Sequence, residues 1–251
     1  MAVQPDQRSA GRPGTGPDVR FWFDPTCPFA WLTSKWVRLV QEQRGYEVEW
    51  RFIALRLVNR DVDYAAHFPP EYEDGHTFGL HLLRLCAQVR DDHGGDAVAR
   101  LYEALGRRIF DSADGPPRDP AGARAVASEA LAELGLPVSL LAALDDAGRD
   151  ARLQAEGDEA LALTGKDVGT PILHIAPPEG AAFFGPVISR MPSAEQAAEL
   201  WDHVVGLARF PGFAELKRSL RERPQLASFG VPEAEAGVQE DWHGGSRRQK
   251  K

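Results

Sequence analysis

The chain has 251 residues, a formal net charge of −8 and 43 % apolar residues, enough for one large domain or two small ones with a sizeable core. The acidic balance gives no electrostatic reason for nucleic-acid binding, which needs a basic surface. No run approaches the ~18 apolar residues of a membrane span, and the N-terminus has no apolar core of a secretory signal, so a cytoplasmic protein is expected. Cys27 and Cys86 are the two cysteines, and in a reducing compartment a structural disulfide between them is not expected.

Residues 1–17 are rich in Gly, Pro, Ser and charge and read as a disordered leader. The aromatic and β-branched content of Asp18 to Asp24 predicts a first strand. Pro28 suits the first position of a helix, where its missing N–H would have had no partner. Trp31, Leu32, Lys35, Trp36, Leu39 and Val40 continue at helical spacing, and Gly45 marks the stop. Tyr46 to Ala54 alternates apolar and polar residues as a second strand. From Glu71 to Val168 the chain turns Ala-, Leu- and Arg-rich. Phe78, Leu82, Leu85 and Val89 form one helical stripe, and Val98, Leu101, Tyr102, Leu105 and Ile109 another. Strand character returns in Ile172 to Ile175 and Ala181 to Phe184. Ser193 to Gln196 is a capping box opening a helix to about Arg209, and a short helix is expected around Phe213 to Leu220. The stretch 230–251 reads as a disordered tail whose basic end is solvated.

With the helical block set aside, the order is βαβ followed by ββα. That is an α/β, thioredoxin-like fold with an all-helical insertion after its second strand. The thioredoxin-like domain then spans 18–58 and 166–225, and the insertion, a lid, spans 59–165.

The chemistry gathers at Phe23-Asp24-Pro25-Thr26-Cys27-Pro28-Phe29-Ala30-Trp31. Cys27 falls at a strand-to-helix junction, where the macrodipole and free backbone N–H groups stabilise an anion. Such a thiol often has its pKa lowered from about 8.5 into the range ~3.5–7.5, which makes it a nucleophile near neutral pH. Asp24 would oppose ionisation if close in space, or could handle a proton. Both roles stay open. Thr170-Pro171, before a later strand, reads by itself as an ordinary trans turn; its resemblance to the loop of a thioredoxin-like fold implies a cis bond beside Cys27, with backbone groups of Thr170 offered to a thiol-containing substrate. His67, His76, His81 and His93 match no metal motif, and no dinucleotide or P-loop glycine pattern occurs, so neither a metal nor a tightly bound cofactor is expected.

These features resemble a known family. The segment FWFDPTCPFAW, the helical insertion, the VGTP loop and Phe183 to Arg190 look like the DsbA-like thioredoxin superfamily, and more narrowly the mycothiol-dependent nitroreductase group. The resemblance covers about residues 19–225. It implies a cytosolic enzyme that draws electrons from a low-molecular-weight thiol, mycothiol or a similar one, and acts on a small-molecule substrate in a cleft between core and lid. Nucleic acid and membrane are not expected partners, and a homodimer is compatible. Cys27 is then the nucleophile. Asp24, Pro28, Phe29, Trp31, Asn59, Tyr72, Thr170 and Pro171 line the substrate and thiol site. The family commonly carries Cys-Pro-Trp-Cys, whereas here Ala30 holds the resolving position, three residues along on the same helix face. A disulfide within the motif cannot form, so the expected route is monothiol, with a second small thiol resolving an adduct on Cys27. Cys86 could resolve the adduct instead if the lid brings it near, but its place on the helix of Phe78, Leu82, Leu85 and Val89 makes the core its expected position. Two other readings stand beside this one. One is a thiol transferase or isomerase of the kappa-class glutathione transferase or 2-hydroxychromene-2-carboxylate isomerase type. The other is a non-catalytic ligand-binding protein with a relic cysteine.

Overall fold

The computed structural model describes residues 16–67, 71–165, 169–217, 220–230 and 239–241. Strand β1 (Val19–Phe23) leads through a tight turn into helix α1 (Pro28–Arg44), and β2 (Val48–Phe52) follows. Two one-turn helices, α2 (Leu55–Val58) and α3 (Tyr64–His67), precede the long α4 (Glu71–His93), α5 (Gly95–Phe110) and α6 (Pro120–Glu133). After 3₁₀ turns at Val138–Asp145 and Ala147–Arg149 comes α7 (Asp150–Thr164). Then come β3 (Ile172–Ile175), β4 (Ala182–Phe184) and α8 (Ala194–Ala208). The four-stranded sheet has the order β2-β1-β3-β4. β2 runs parallel to β1, while β3 is antiparallel to both β1 and β4. This is the thioredoxin-like arrangement expected from the order of elements, with helices inserted between β2 and β3.

Both faces of β1 are covered, which is why its five residues are apolar almost throughout. Val19, Phe21 and Phe23 point into the main core with α1, α4 and α5. Trp22 points the other way, with Ile53, Ile172 and Ala160 of α7. The last helix before β3 therefore serves the sheet itself. Helix ends follow their sequence signals. Pro28 opens α1, Gly45 closes it at φ 69° with its N–H on the Gln41 carbonyl, and Ser193 and Gln196 cap α8 reciprocally. Both expected stripes on α4 and α5 are fully buried.

Two expectations change. The short helix expected around Phe213 to Leu220 does not form: residues 213–217 are irregular, and Leu220 opens β5 (Leu220–Glu222). Pro211 and Gly212 stop α8, and Leu216 lies exposed, so no apolar face is left to support another helix. The expected disordered tail contributes β6 (Gln239–Asp241), antiparallel to β5. Backbone pairing supplied by β5 holds a polar stretch that its own composition would not order. The leader over 1–15, the 166–168 boundary and most of the tail lie outside the described residues. No described helix is long and apolar enough to cross a membrane.

Candidate active site

The turn after β1 is built on Asp24, which is completely buried. Its Oδ1 accepts from the Thr26 N–H at 2.8 Å and the Thr26 hydroxyl at 2.7 Å, and its Oδ2 accepts from the Leu55 N–H at 2.8 Å. The carboxyl thus staples the active-site turn to the first residue of α2. Its carbonyl accepts the Cys27 N–H at 3.1 Å. An Asx turn of this kind is a local device for aspartate followed two residues later by a donor. Burial nevertheless pushes the Asp24 carboxyl above its ordinary range, although the Thr26 and Leu55 donors and Arg118 pull it down.

Cys27 is the N-cap of α1 and is half-buried. Its Sγ accepts the Ala30 N–H at 3.4 Å and donates to the Thr170 carbonyl at 3.3 Å. The Thr170–Pro171 peptide is cis, and the Thr170 hydroxyl donates to the Trp22 carbonyl at 2.9 Å. Three segments far apart in sequence therefore meet at the β1–α1 turn: the loop before β3 reaches the sulfur and the start of α2 reaches Asp24.

The electrostatic outcome differs from the expectation of an activated thiolate. Burial pushes the Cys27 thiol up to about 12, Asp24 adds to the rise, and the Ala30 and Phe29 amides oppose it. The helix terminus does favour the anion, as expected, but desolvation wins. In this arrangement the sulfur is a thiol, donating its proton to Thr170.

The remaining expected residues separate into two groups. Pro28 begins α1, and Phe29 lies half-buried with its amide toward the sulfur. Tyr72, 44 % exposed at the start of α4, lies near enough to Cys27 for the thiolate to help raise the phenol pKa, after burial and Glu71. Among the expected residues, Thr170 meets the sulfur through its carbonyl and Phe29 through its amide. Trp31 and Asn59 do not open to it. The Trp31 indole is buried, donates to Asp111 at 3.0 Å and fits against Gly106 of α5, where a Cβ would collide with the ring. Its place on the helix turns it toward α5 rather than the sulfur. Asn59, 2 % exposed, closes α2 by donating its side-chain N–H to the Leu55 carbonyl at 2.7 Å. It holds the helix whose first amide holds Asp24, and so acts at one remove. Asp24 is likewise sealed and supports the site from below.

Cys86 is fully buried on α4, as expected, and burial pushes its thiol up to about 12 as well. A cleft of about 410 Å³ opens between α1 and α5, lined by Trp31, Lys35, Arg38, Glu103, Arg107 and Asp111, but Cys27 is not among its lining residues. No cluster of three or more His, Cys, Asp or Glu that could hold a metal occurs among the described residues.

Sequence reasoning missed Thr26, Gly79 and Arg118. Thr26 carried a signal, since Asp-x-Thr is an Asx-turn pattern. Gly79, on α4, stands where a Cβ would come within 2.6 Å of Asp24 Oδ1 and 3.0 Å of Thr26. Nothing local marks that contact.

Fold and site together define a thioredoxin-like protein with one cysteine at the helix terminus and a helical insertion packed onto the active-site turn. The chain belongs to the Rv2466c-like family, described as mycothiol-dependent nitroreductase Rv2466c, whose family model matches residues 26–218. It is 34 % identical over 201 residues to the uncharacterized protein Rv2286c of Mycobacterium tuberculosis (strain ATCC 25618 / H37Rv), across 80 % of this chain and 81 % of that one. Among solved structures, it is similar to the probable DsbA oxidoreductase SCO1869 from Streptomyces coelicolor. The TM-score is 0.48 at 18 % identity, covering 85 % of this chain and 98 % of that chain. A putative protein disulfide isomerase from Nitrosomonas europaea gives a TM-score of 0.47 at 13 % identity, covering 74 % of this chain and 98 % of that chain.

Proposed function

We propose that the protein is a thiol-dependent oxidoreductase of small electrophilic or nitro substrates, using mycothiol or a similar small thiol and Cys27 alone. The observation that carries this reading is the sulfur's setting: a half-buried Cys27 between the Ala30 amide and the Thr170 carbonyl, in a chain of this family. Ala30 is itself buried, and its N–H is already directed at the sulfur. The resolving thiol must therefore come from solution. Cys27 and one small thiol join as a mixed disulfide while the acceptor takes up their two electrons and two protons, and a second small thiol attacks that disulfide, releasing the small-molecule disulfide and the free cysteine. Each turnover oxidises two thiols to one disulfide and passes two electrons and two protons to the acceptor.

The resting thiol is protonated, so the nucleophile has to be uncovered. The Ala30 and Phe29 amides are ready to hold an anion, whereas burial and the Asp24 charge resist it. A proton placed on Asp24 would shift that balance toward the thiolate. The high thiol pKa is also what favours the ligand-binding alternative, in which Cys27 has no chemical part.

The test uses Cys86→Ser protein, so that one thiol remains. Incubation with mycothiol and a nitroaromatic or quinone acceptor should yield the thiol's disulfide, and intact-mass analysis of quenched samples should catch one thiol adduct on Cys27. Cys27→Ser should abolish both. A product at the substrate's own oxidation level would replace this reading with transfer or isomerisation. Unchanged function in Cys27→Ser would replace it with ligand binding.

A further inference from the structure

The cleft of about 410 Å³ between α1 and α5 is separate from the thiol, since Cys27 does not line it. One wall is a face of α1 on which Lys35, Arg38, Leu39 and Glu42 recur at helical spacing. The other is a face of α5 running from Glu103 through Arg107 to Asp111 at the helix end. Four of these charges are matched within the protein: Lys35 pairs with Asp111 at 3.1 Å, and Arg107 with Glu103 at 3.1 Å. Arg38 and Glu42 are left over. The Arg38 guanidinium lies over the Trp50 ring, 4.1 Å from its centre, and its Nη2 donates to the Ala99 carbonyl at 2.8 Å. Its Nε is sealed from solvent and out of a ligand's reach, whereas Nη1 is neither sealed nor bonded among the described residues. The field of Glu103 supports the Arg38 charge, but Glu103 is bonded to Arg107 and closes no ion pair with Arg38 among the described residues. Glu42, one turn further along α1, is exposed and makes no ion pair among the described residues.

Two unmatched charges of opposite sign therefore line one cleft from positions i and i+4 of a helix, roughly 6 Å apart at their Cβ atoms. A half-buried guanidinium without a carboxylate is costly to leave so. We propose that the cleft binds a small zwitterion of the α-amino-acid type, its carboxylate on Arg38 Nη1 and its ammonium at Glu42. Charge-assisted hydrogen bonds of this kind are the strong ones, and a few of them suffice to orient a ligand in a pocket of this size. The partly buried Leu39, between the two on α1, offers an apolar wall to the ligand's side chain. The balance of charge speaks against a phosphate, because carboxylates line the cleft in the same number as cations and a dianion meets no positive excess. The competing arrangement is direct closure of Arg38 on Glu42 as an i, i+4 pair, which leaves no site. The inference goes beyond the oxidoreductase reading and does not rest on it.

The experiment is a ligand-observed NMR titration of the full chain at neutral pH with three probes: L-leucine, N-acetyl-L-leucine, which lacks the ammonium, and L-leucinamide, which lacks the carboxylate. Wild type, Glu42→Gln and Arg38→Met are compared, with circular dichroism confirming that each is folded. L-leucine should bind wild type most tightly. Arg38→Met should weaken L-leucine by about tenfold or more, the scale of a lost hydrogen bond to a charged group. Glu42→Gln should weaken it by about two- to fivefold, the range of an exposed charge pair, and should leave N-acetyl-L-leucine unchanged. Glu42 is exposed and its substitution leaves the core untouched, so this arm stands even where Arg38→Met does not fold. The proposal is overturned if L-leucine binds wild type no more tightly than its two derivatives, or if Glu42→Gln weakens L-leucine and N-acetyl-L-leucine alike. Binding is read without turnover, so loss of thiol-dependent activity with L-leucine binding intact would count against the oxidoreductase reading alone.

Discussion

Asp24 and Cys27 show how two ionisable groups in one turn are set against each other. Both are held above their ordinary pKa by burial, and the charge on one disfavours the charge on the other. Asp24→Asn removes the carboxylate while leaving an oxygen for Thr26. Cys27 in that variant, on a Cys86→Ser background, should ionise at lower pH. Its iodoacetamide alkylation at pH 8 should rise by about tenfold for each unit the pKa falls. An unchanged rate would mean that the Asp24 charge does not reach the sulfur. Stability carries the opposite signature to that of a salt-bridged carboxylate. A raised folded-state pKa means that the folded protein binds this proton more tightly than the unfolded chain. Its stabilising contribution is present below the ordinary value of 3.8 and is lost as pH rises through the folded value. The urea midpoint of wild type relative to Asp24→Asn should therefore decline from pH 4 to pH 8. A relative midpoint that climbs with pH would show the carboxylate to be stabilised by its donors instead.

At the level of elements, α4 carries two glycines in different roles. Gly75 has nothing within 4 Å of where a Cβ would lie, whereas at Gly79 a Cβ would strike Asp24 and Thr26. Gly75→Ala should stabilise the protein by about 0.5–1 kcal/mol through helix propensity. Gly79→Ala should destabilise it by about 1–3 kcal/mol through overpacking. Because it displaces the Asp24 carboxyl, it should also change the pH profile of Cys27 alkylation. Denaturant melts of the pair decide the matter: equal gains in both variants would show that α4 is not seated on the turn. The same close approach explains what could be read locally and what could not. The stripes on α4 and α5, the proline opening α1, the glycine closing it and the capping box of α8 were legible because each depends on neighbours within about a turn. The seating of α4 on Asp24 depends on residues 55 positions apart. The short helix misread near Phe213 had suitable residues but no surface to bury them against.

Across the whole molecule, Glu156 of α7 ties the sheet to the insertion. It is 6 % exposed. Its Oε1 accepts from Arg51 of β2 at 2.6 Å and Arg90 of α4 at 2.7 Å, and its Oε2 accepts from Arg90 at 2.8 Å. Removing this one carboxylate strands Arg90, which is mostly buried, and leaves Arg51 with Glu49 and Glu159 alone. Glu156→Ala should cost about 3–5 kcal/mol, as expected when a buried pair loses one partner. A loss under about 1 kcal/mol in a urea melt would place the network with exposed pairs of little consequence.

The sequence by itself determined the order of elements, the position of Cys27 at a strand-to-helix junction, the absence of a second cysteine at Ala30 and the companion Thr170-Pro171. Each of these is a local fact, set by turn chemistry, capping and periodicity within one segment. Tertiary structure alone decided the protonation of the site, since desolvation depends on every segment that closes over the sulfur. It also turned Trp31 and Asn59 into packing and capping residues and seated Gly79 on Asp24. Burial and long-range charge are sums over the folded chain, and no window of sequence contains them.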